Sequence, residues 1–105
     1  MIRVCTVDEL PEGEARRLDT SPPIAVFRAE GSFYAIDDTC THQEASLADG
    51  YLEGLEVECP LHAACFDLRT GEPSGPPATR PVRTHEILVD DGVIFVVPAE
   101  QGSAA

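Results

Sequence analysis

Four residues near the middle of the chain are of metal-binding type and fall into two short pairs. These are Cys40-x-His42 and Cys59-x-x-His62, with sixteen residues between His42 and Cys59. Two centres fit such a donor set. A structural zinc takes four ligands in a tetrahedron, but its paired ligands are normally separated by roughly two to four residues, which Cys59-x-x-His62 meets and Cys40-x-His42 does not. A two-iron, two-sulfide cluster of mixed ligation takes two thiolates on one iron and two imidazoles on the other. Each short loop then donates one ligand to each metal, and two facing loops clasp the cluster from both sides.

The remaining residues of ligand type have plainer readings. Four cysteines in a chain whose start, MIRVCTVDEL, puts charges where an export signal needs an apolar core argue for metal rather than disulfides, because a reducing cytosol keeps thiols free. Cys5 lies in a strand-like run and reads as a small buried side chain. Cys65, just beyond the second pair, reads as packing beside Phe66. His85 is the third and last histidine and reads as a surface residue of a strand. Phe66 and Leu47 fit apolar cover for the metal centre and ordinary core equally well.

The elements that must position the pairs are short β-type runs bounded by turn residues, and no helical period persists beyond about three turns. The expected fold is all-β, an antiparallel sheet scaffold with a small loop-rich lobe inserted into it. Ile2 to Val7 reads as a strand and Asp8 to Asp19 as an acidic connection holding one helical turn. Ile24 to Ala29 and Ser32 to Ile36 flank Glu30-Gly31, and Val82 to Asp90 and Val93 to Val97 flank Asp91-Gly92, both tight-hairpin signals. Between the hairpins, Asp38 to Pro77 is rich in Gly, Pro, Cys and His, with brief apolar pieces at Leu55 to Val57 and Cys65 to Leu68. So long a stretch of weak structure needs something other than a core to hold it, and a bound metal centre would serve. The tail, 98–105, reads as frayed. A length of 105 residues fits one domain, 1–105, with the ligand lobe at about 38–77.

Charge narrows the partners. Nineteen acidic residues stand against seven basic ones, all arginine, for a net charge of -12. A phosphate backbone or an anionic bilayer would repel this surface, so neither nucleic acid nor membrane is expected as a partner. No base lies between Arg28 and Arg69, where the acidic residues from Glu30 to Asp67 crowd. Carboxylates gathered there would steer the lobe toward basic patches on other proteins. The longest apolar run near the C-terminus is Val93 to Val97, too short to span a bilayer. A soluble, cytoplasmic chain is expected.

CTH followed by CPLH at this separation resembles the Rieske signature, and the chain is similar to the small Rieske-type ferredoxins of bacterial aromatic-ring-hydroxylating dioxygenases, of the biphenyl and carbazole type. VECPLH, Phe66-Asp67, Thr70-Gly71 and Gly75-Pro76-Pro77 extend the likeness over most of the chain. The resemblance implies one [2Fe-2S] cluster, with Cys40 and Cys59 on an inner iron and His42 and His62 on an outer iron near the tip, where electrons enter and leave. Pro60 fixes the backbone after Cys59, and Pro76-Pro77 resembles the family's proline loop that shields the other side. Ala63 stands where the family often has glycine, and a left-handed backbone there would cost about 1 kcal/mol more than with glycine. Ala45 and Leu61 occupy the places where respiratory Rieske proteins carry a disulfide. Ala64 and Phe66 have no hydroxyl to aim at the cluster.

These features set an expected potential. Two neutral imidazoles in place of two thiolates favour electron uptake, while missing hydrogen bonds to sulfur and the surrounding carboxylates oppose it, giving on the order of -150 to 0 mV. Solvent-facing imidazoles would make the potential fall at alkaline pH.

An oxygenase needs a further mononuclear iron held by two histidines and a carboxylate, and only His85 is left for one. A glycine-rich dinucleotide fingerprint after a strand is also missing, so hydride from NADH has no seat. The resemblance therefore implies a one-electron carrier and not an enzyme. A flavin-containing, NADH-dependent ferredoxin reductase would feed it and a terminal oxygenase would oxidise it, both in transient complexes. Two alternatives stay open on sequence: the small Rieske-like subunit of an assimilatory nitrite reductase, and a zinc-stabilised, non-redox interaction module.

Overall fold

Ile24–Ala29 is apolar except for Arg28 and shows no polar alternation, the pattern of a strand covered on both faces, and it lies at the centre of the architecture. The structure is a computed structural model and describes residues 1–39, 45–60, 65–74 and 80–99. Among these, nine strands run in chain order: β1 (Ile2–Thr6), β2 (Ala15–Leu18), β3 (Ile24–Ala29), β4 (Ser32–Asp37), β5 (Tyr51–Glu53), β6 (Glu56–Glu58), β7 (Cys65–Asp67), β8 (Thr84–Asp90) and β9 (Val93–Val97). Single 3-10 turns occupy Val7–Glu9 and Leu47–Asp49. Six strands form one antiparallel sheet in the order β1-β9-β8-β4-β3-β2, and β5-β6-β7 form a second, smaller one.

Both anticipated hairpins form. Glu30 and Gly31 have φ of 50° and 82°, and Asp91 and Gly92 have 52° and 76°. Two successive left-handed residues give a turn whose twist matches that of the flanking strands, which explains an acidic residue followed by glycine at each tip. On one face of β3, Ala25, Phe27 and Ala29 join Ile36, Leu47, Val57, Cys59, Phe66, Leu68 and Val82 in one apolar cluster. On the other, Ile24 and Val26 meet Val4, Cys5, Leu10, Ala35, Ile94 and Val96. The large sheet thus curls its β1-β9 end over one side of β3 and carries the ligand lobe on the other.

Three expectations need correction. The connection at 8–19 contains β2, an edge strand paired to β3 from Ala15↔Phe27 to Leu18↔Ile24; Arg16 and Arg17 hide it because edge strands tolerate charge. The final hairpin starts at Thr84, while Val82 is buried and donates its N–H to the Gly71 carbonyl at 2.9 Å. The lobe, loop-rich as expected, is held in part by core as well: among the described residues its three short strands turn Val57 and Phe66 into the first apolar cluster and leave Tyr51, Glu53, Glu56, Glu58, Cys65 and Asp67 on the opposite face.

Candidate metal centre

The chain enters the first ligand pair from the end of β4 and is tied down on both sides of it. The Asp38 N–H donates to the Pro23 carbonyl at 2.9 Å, its own carbonyl accepts from the Leu47 N–H at 2.7 Å, and Thr39 bridges to Ser46. The second pair begins where β6 ends, and the Glu58↔Cys65 register of β6 and β7 closes the segment that contains it. A third root lies at Ser74, whose N–H donates to the Cys65 carbonyl at 2.9 Å, next to the Phe66↔Pro73 bridge. These roots are continuous with one another: Ser74 bonds Cys65, Cys65 pairs with Glu58, Glu58 pairs with Tyr51 beside Gly50, and the Gly50 N–H donates to Leu47 at 3.0 Å.

Two glycines make these approaches feasible. A Cβ on Gly50 would fall on the Glu58 carbonyl oxygen, and a Cβ on Gly71 would fall on the Val82 carbonyl oxygen. Gly71 also has φ of +78°, a region that side chains avoid.

Of the four expected ligands, Cys59 is described, and it is 1% exposed in the cluster with Leu47, Val57 and Phe66. It is not in a disulfide. Cys40, His42 and His62 lie outside the described residues, as do Leu61, Ala63, Ala64 and the Pro76-Pro77 loop. Among the described residues no three His, Cys, Asp or Glu side chains come together to hold a metal. The sequence puts the other thiol and both imidazoles of the two pairs within 40–44 and 61–64. A buried sulfur in an apolar seat fits the thiolate side of a cluster with mixed ligation.

The other residues singled out divide sharply. Cys5 is 1% exposed, as expected, and burial pushes its thiol up. Burial also raises the Cys65 thiol, and the Glu58, Glu56 and Glu53 carboxylates add to the rise. Phe66 and Leu47 are both fully buried and serve as core. Ala45 packs at the edge of the cluster that holds Cys59, with no thiol to offer a bridge.

His85 is not on the surface. Its side chain is 1% exposed, its Nε2 lies 2.8 Å from Asp37 Oδ1, and its Nδ1 accepts from the Ala99 N–H at 2.8 Å. Since Nδ1 accepts, the ring proton sits on Nε2 and is donated to the carboxylate. Arg83 holds the same carboxylate through Nε at 2.9 Å. Burial pushes Asp37 upward, but the hydrogen bonds from His85 and Arg83 outweigh it and leave the group below the ordinary carboxylate range.

Asp38 was not singled out by sequence. Its side chain is 2% exposed, and Oδ1 accepts from Ser46 Oγ and the Ala48 N–H, both at 2.9 Å, while Oδ2 lies 3.4 Å from Arg17 Nε. Its place two residues before Cys40 was the available signal.

Comparison with known proteins agrees with this construction. Residues 1–86 match the Rieske [2Fe-2S] domain. The 3-phenylpropionate/cinnamic acid dioxygenase ferredoxin subunit of Photorhabdus laumondii is 50% identical over 99 residues, covering 93% of this chain and 94% of that protein. The ferredoxin of carbazole 1,9a-dioxygenase from Nocardioides aromaticivorans IC177 superposes with a TM-score of 0.88 at 40% identity, covering 93% of this chain and 97% of that one. A chain in a complex of reduced oxygenase and oxidized ferredoxin in carbazole 1,9a-dioxygenase gives 0.87 at 39% identity, covering 90% of each. The choice between zinc and iron–sulfur is settled by the same match, in favour of a Rieske-type [2Fe-2S] cluster. With the all-β scaffold in agreement, the chain belongs to the Rieske [2Fe-2S] domain family.

Proposed function

We propose that this chain, acting as one domain, is the ferredoxin component of a multicomponent aromatic-ring dioxygenase. In this reading Cys40 and Cys59 hold the inner iron and His42 and His62 the outer one. The cluster, when bound, supplies a store for one electron. The chain's own residues do the rest. Leu47, Val57 and Phe66 keep water from the Cys59 sulfur, which favours a stable seat over exchange with solvent. The backbone bonds at Asp38, Leu47, Cys65 and Ser74 fix the roots of the ligand segments, so little protein rearrangement accompanies a change in charge.

The observation that carries this reading is the fully buried Cys59 at the root of the second motif, in a chain matched along 1–86 to the family. Support for the oxygenase as partner comes from the complex of oxygenase and ferredoxin in carbazole 1,9a-dioxygenase. A flavin-containing, NADH-dependent reductase completes the chain of carriers, because this sequence has no dinucleotide fingerprint of its own. Both encounters are transient, as small electron-transfer interfaces are. The likeness to a 3-phenylpropionate/cinnamic acid dioxygenase subunit directs attention to an oxygenase for aromatic acids. We place the carrier in the cytoplasm, in keeping with cysteines that are not in disulfides; among the described residues no helix is long and apolar enough to cross a membrane.

The test is reconstitution. Reduced protein mixed without oxygen with a terminal oxygenase of the aromatic-acid class should be oxidised within the oxygenase's turnover time, and ring dihydroxylation should require this chain. Product formation that is unchanged when it is omitted would overturn the proposal.

A further inference from the structure

Asp38 and His85 are the two buried polar side chains among the described residues. His85 is accounted for by Asp37 and Ala99. Asp38 is different, because its side chain is a buried charge at the mouth of one. Covalent reach puts its Cα within about 7 Å of the Cα of Cys40, whatever path the intervening residue takes. Its carboxylate spans the first ligand segment, from β4 to the Ser46 hydroxyl and the Ala48 amide. Its other oxygen faces Arg17 on the edge strand β2, where the guanidinium is half-exposed at 52% beside a cavity of about 510 Å³ lined by Arg17, Asp38, Thr39, Ala45 and Ser46.

Resting on the cluster assignment above, we propose that Asp38 and Arg17 form an opposed charge pair that sets the reduction potential of the centre, with Asp38 as a positioning residue for the first ligand segment and Arg17 as its counter-charge. Taking up an electron makes the centre more negative. A fixed carboxylate within a Debye length opposes that, and a guanidinium beside it offsets the opposition. The two are not equivalent. The carboxylate is sealed from water and acts at full strength, whereas the guanidinium is partly screened, so the pair as a whole holds the potential down. A purely structural staple would need the same counter-charge, because a carboxylate sealed from water is costly without one, so the potential rather than the pairing tells the two roles apart.

The experiment measures midpoint potentials at fixed, low ionic strength on iron-loaded protein. Asp38→Asn keeps an oxygen for Ser46 and Ala48 and removes the charge, and the potential is expected to rise. Arg17→Gln removes the counter-charge at an exposed position, and the potential is expected to fall. Arg17→Lys retains the charge and should return the potential toward that of the parent. High salt should shrink the Arg17→Gln shift, and should leave more of the Asp38→Asn shift. Should Asp38→Asn fail to load iron, the surface variant Arg17→Gln decides alone. Potentials that do not move, or that move in the same direction in both variants while the visible spectrum stays intact, overturn the inference. An unmutated protein with no Rieske signal in electron paramagnetic resonance overturns the cluster assignment instead.

Discussion

At the scale of single residues, the two kinds of buried polar chemistry in this chain differ in how they announce themselves. Cys59 stands out in the sequence because its spacing to His62 is of metal-binding type, and the structure buries it. Cys59→Ala is expected to yield a colourless protein with iron content near zero and no Rieske paramagnetic signal, read by absorption and metal analysis. Its fold should persist, since the lost side chain is small and its neighbours Leu47, Val57 and Phe66 remain. His85 was not legible. Its partner Asp37 lies 48 residues away in sequence, and a lone histidine in a strand has the same appearance whether it faces water or carboxylate. Replacing Asp37 by Ala strands the ring N–H of His85 and the Arg83 guanidinium, and should cost about 2 kcal/mol in denaturant unfolding. The pH dependence follows from the sign of the shift. Asp37 is held below the ordinary carboxylate range, so its stabilisation is complete above about pH 4 and is lost as pH falls through its lower folded value. Stability of the parent should drop on acidification below about pH 4, and an Asp37→Asn variant should drop less steeply over the same range.

At the scale of elements, legibility followed length. The strands of the two hairpins, β3-β4 and β8-β9, run five to seven residues and carry Glu30-Gly31 and Asp91-Gly92 at their tips, and both were evident from β-type runs flanking turn chemistry. Three-residue strands cannot show a period. β5, β6 and β7 therefore looked like loop, although Val57 and Phe66 anchor them in the same cluster as Phe27. What the sequence does show around this sheet is Gly50 and Gly71, once their neighbours are known, and Gly92 in the β8-β9 turn is their reference. Gly92 has a positive φ and open space around it, so Gly92→Ala should cost only the left-handed penalty of about 1 kcal/mol. Gly71 has the same backbone and a carbonyl where the Cβ would go, so Gly71→Ala should cost clearly more. Gly50 has φ of -80° and only the clash with Glu58. Its replacement by Ala should separate the Leu47–Asp49 turn from β6 and reduce iron retention along with stability. Equal losses for Gly71→Ala and Gly92→Ala in a denaturation series would show that the Gly71–Val82 approach relaxes at no cost.

At the scale of the whole molecule, the sign of the charge and its gathering between Arg28 and Arg69 were both readable from the sequence, but which carboxylates share one sheet face was not. Glu56 stands directly across from both Glu53 and Asp67, and Glu58 lies on the same face. Like charges placed opposite one another destabilise a sheet by roughly 0.2–1 kcal/mol per pair. Arg69 relieves only Asp67, which it meets at 3.0 Å. The small sheet thus carries a standing electrostatic penalty on the face turned away from the core, next to the roots of the ligand segments. Long-range attraction to a basic surface would turn that penalty into faster encounter at low salt. The second-order rate of oxidation by a redox partner should therefore fall as ionic strength rises, measured by stopped flow across a salt series. Glu56→Gln should flatten that dependence and, because it removes a carboxylate from two unfavourable pairs, should make the folded chain more stable by a fraction of a kcal/mol. A variant that is slower in encounter yet harder to unfold would identify the acidic face as a surface for association. A rate indifferent to salt in the parent would leave the crowding of carboxylates to solubility alone.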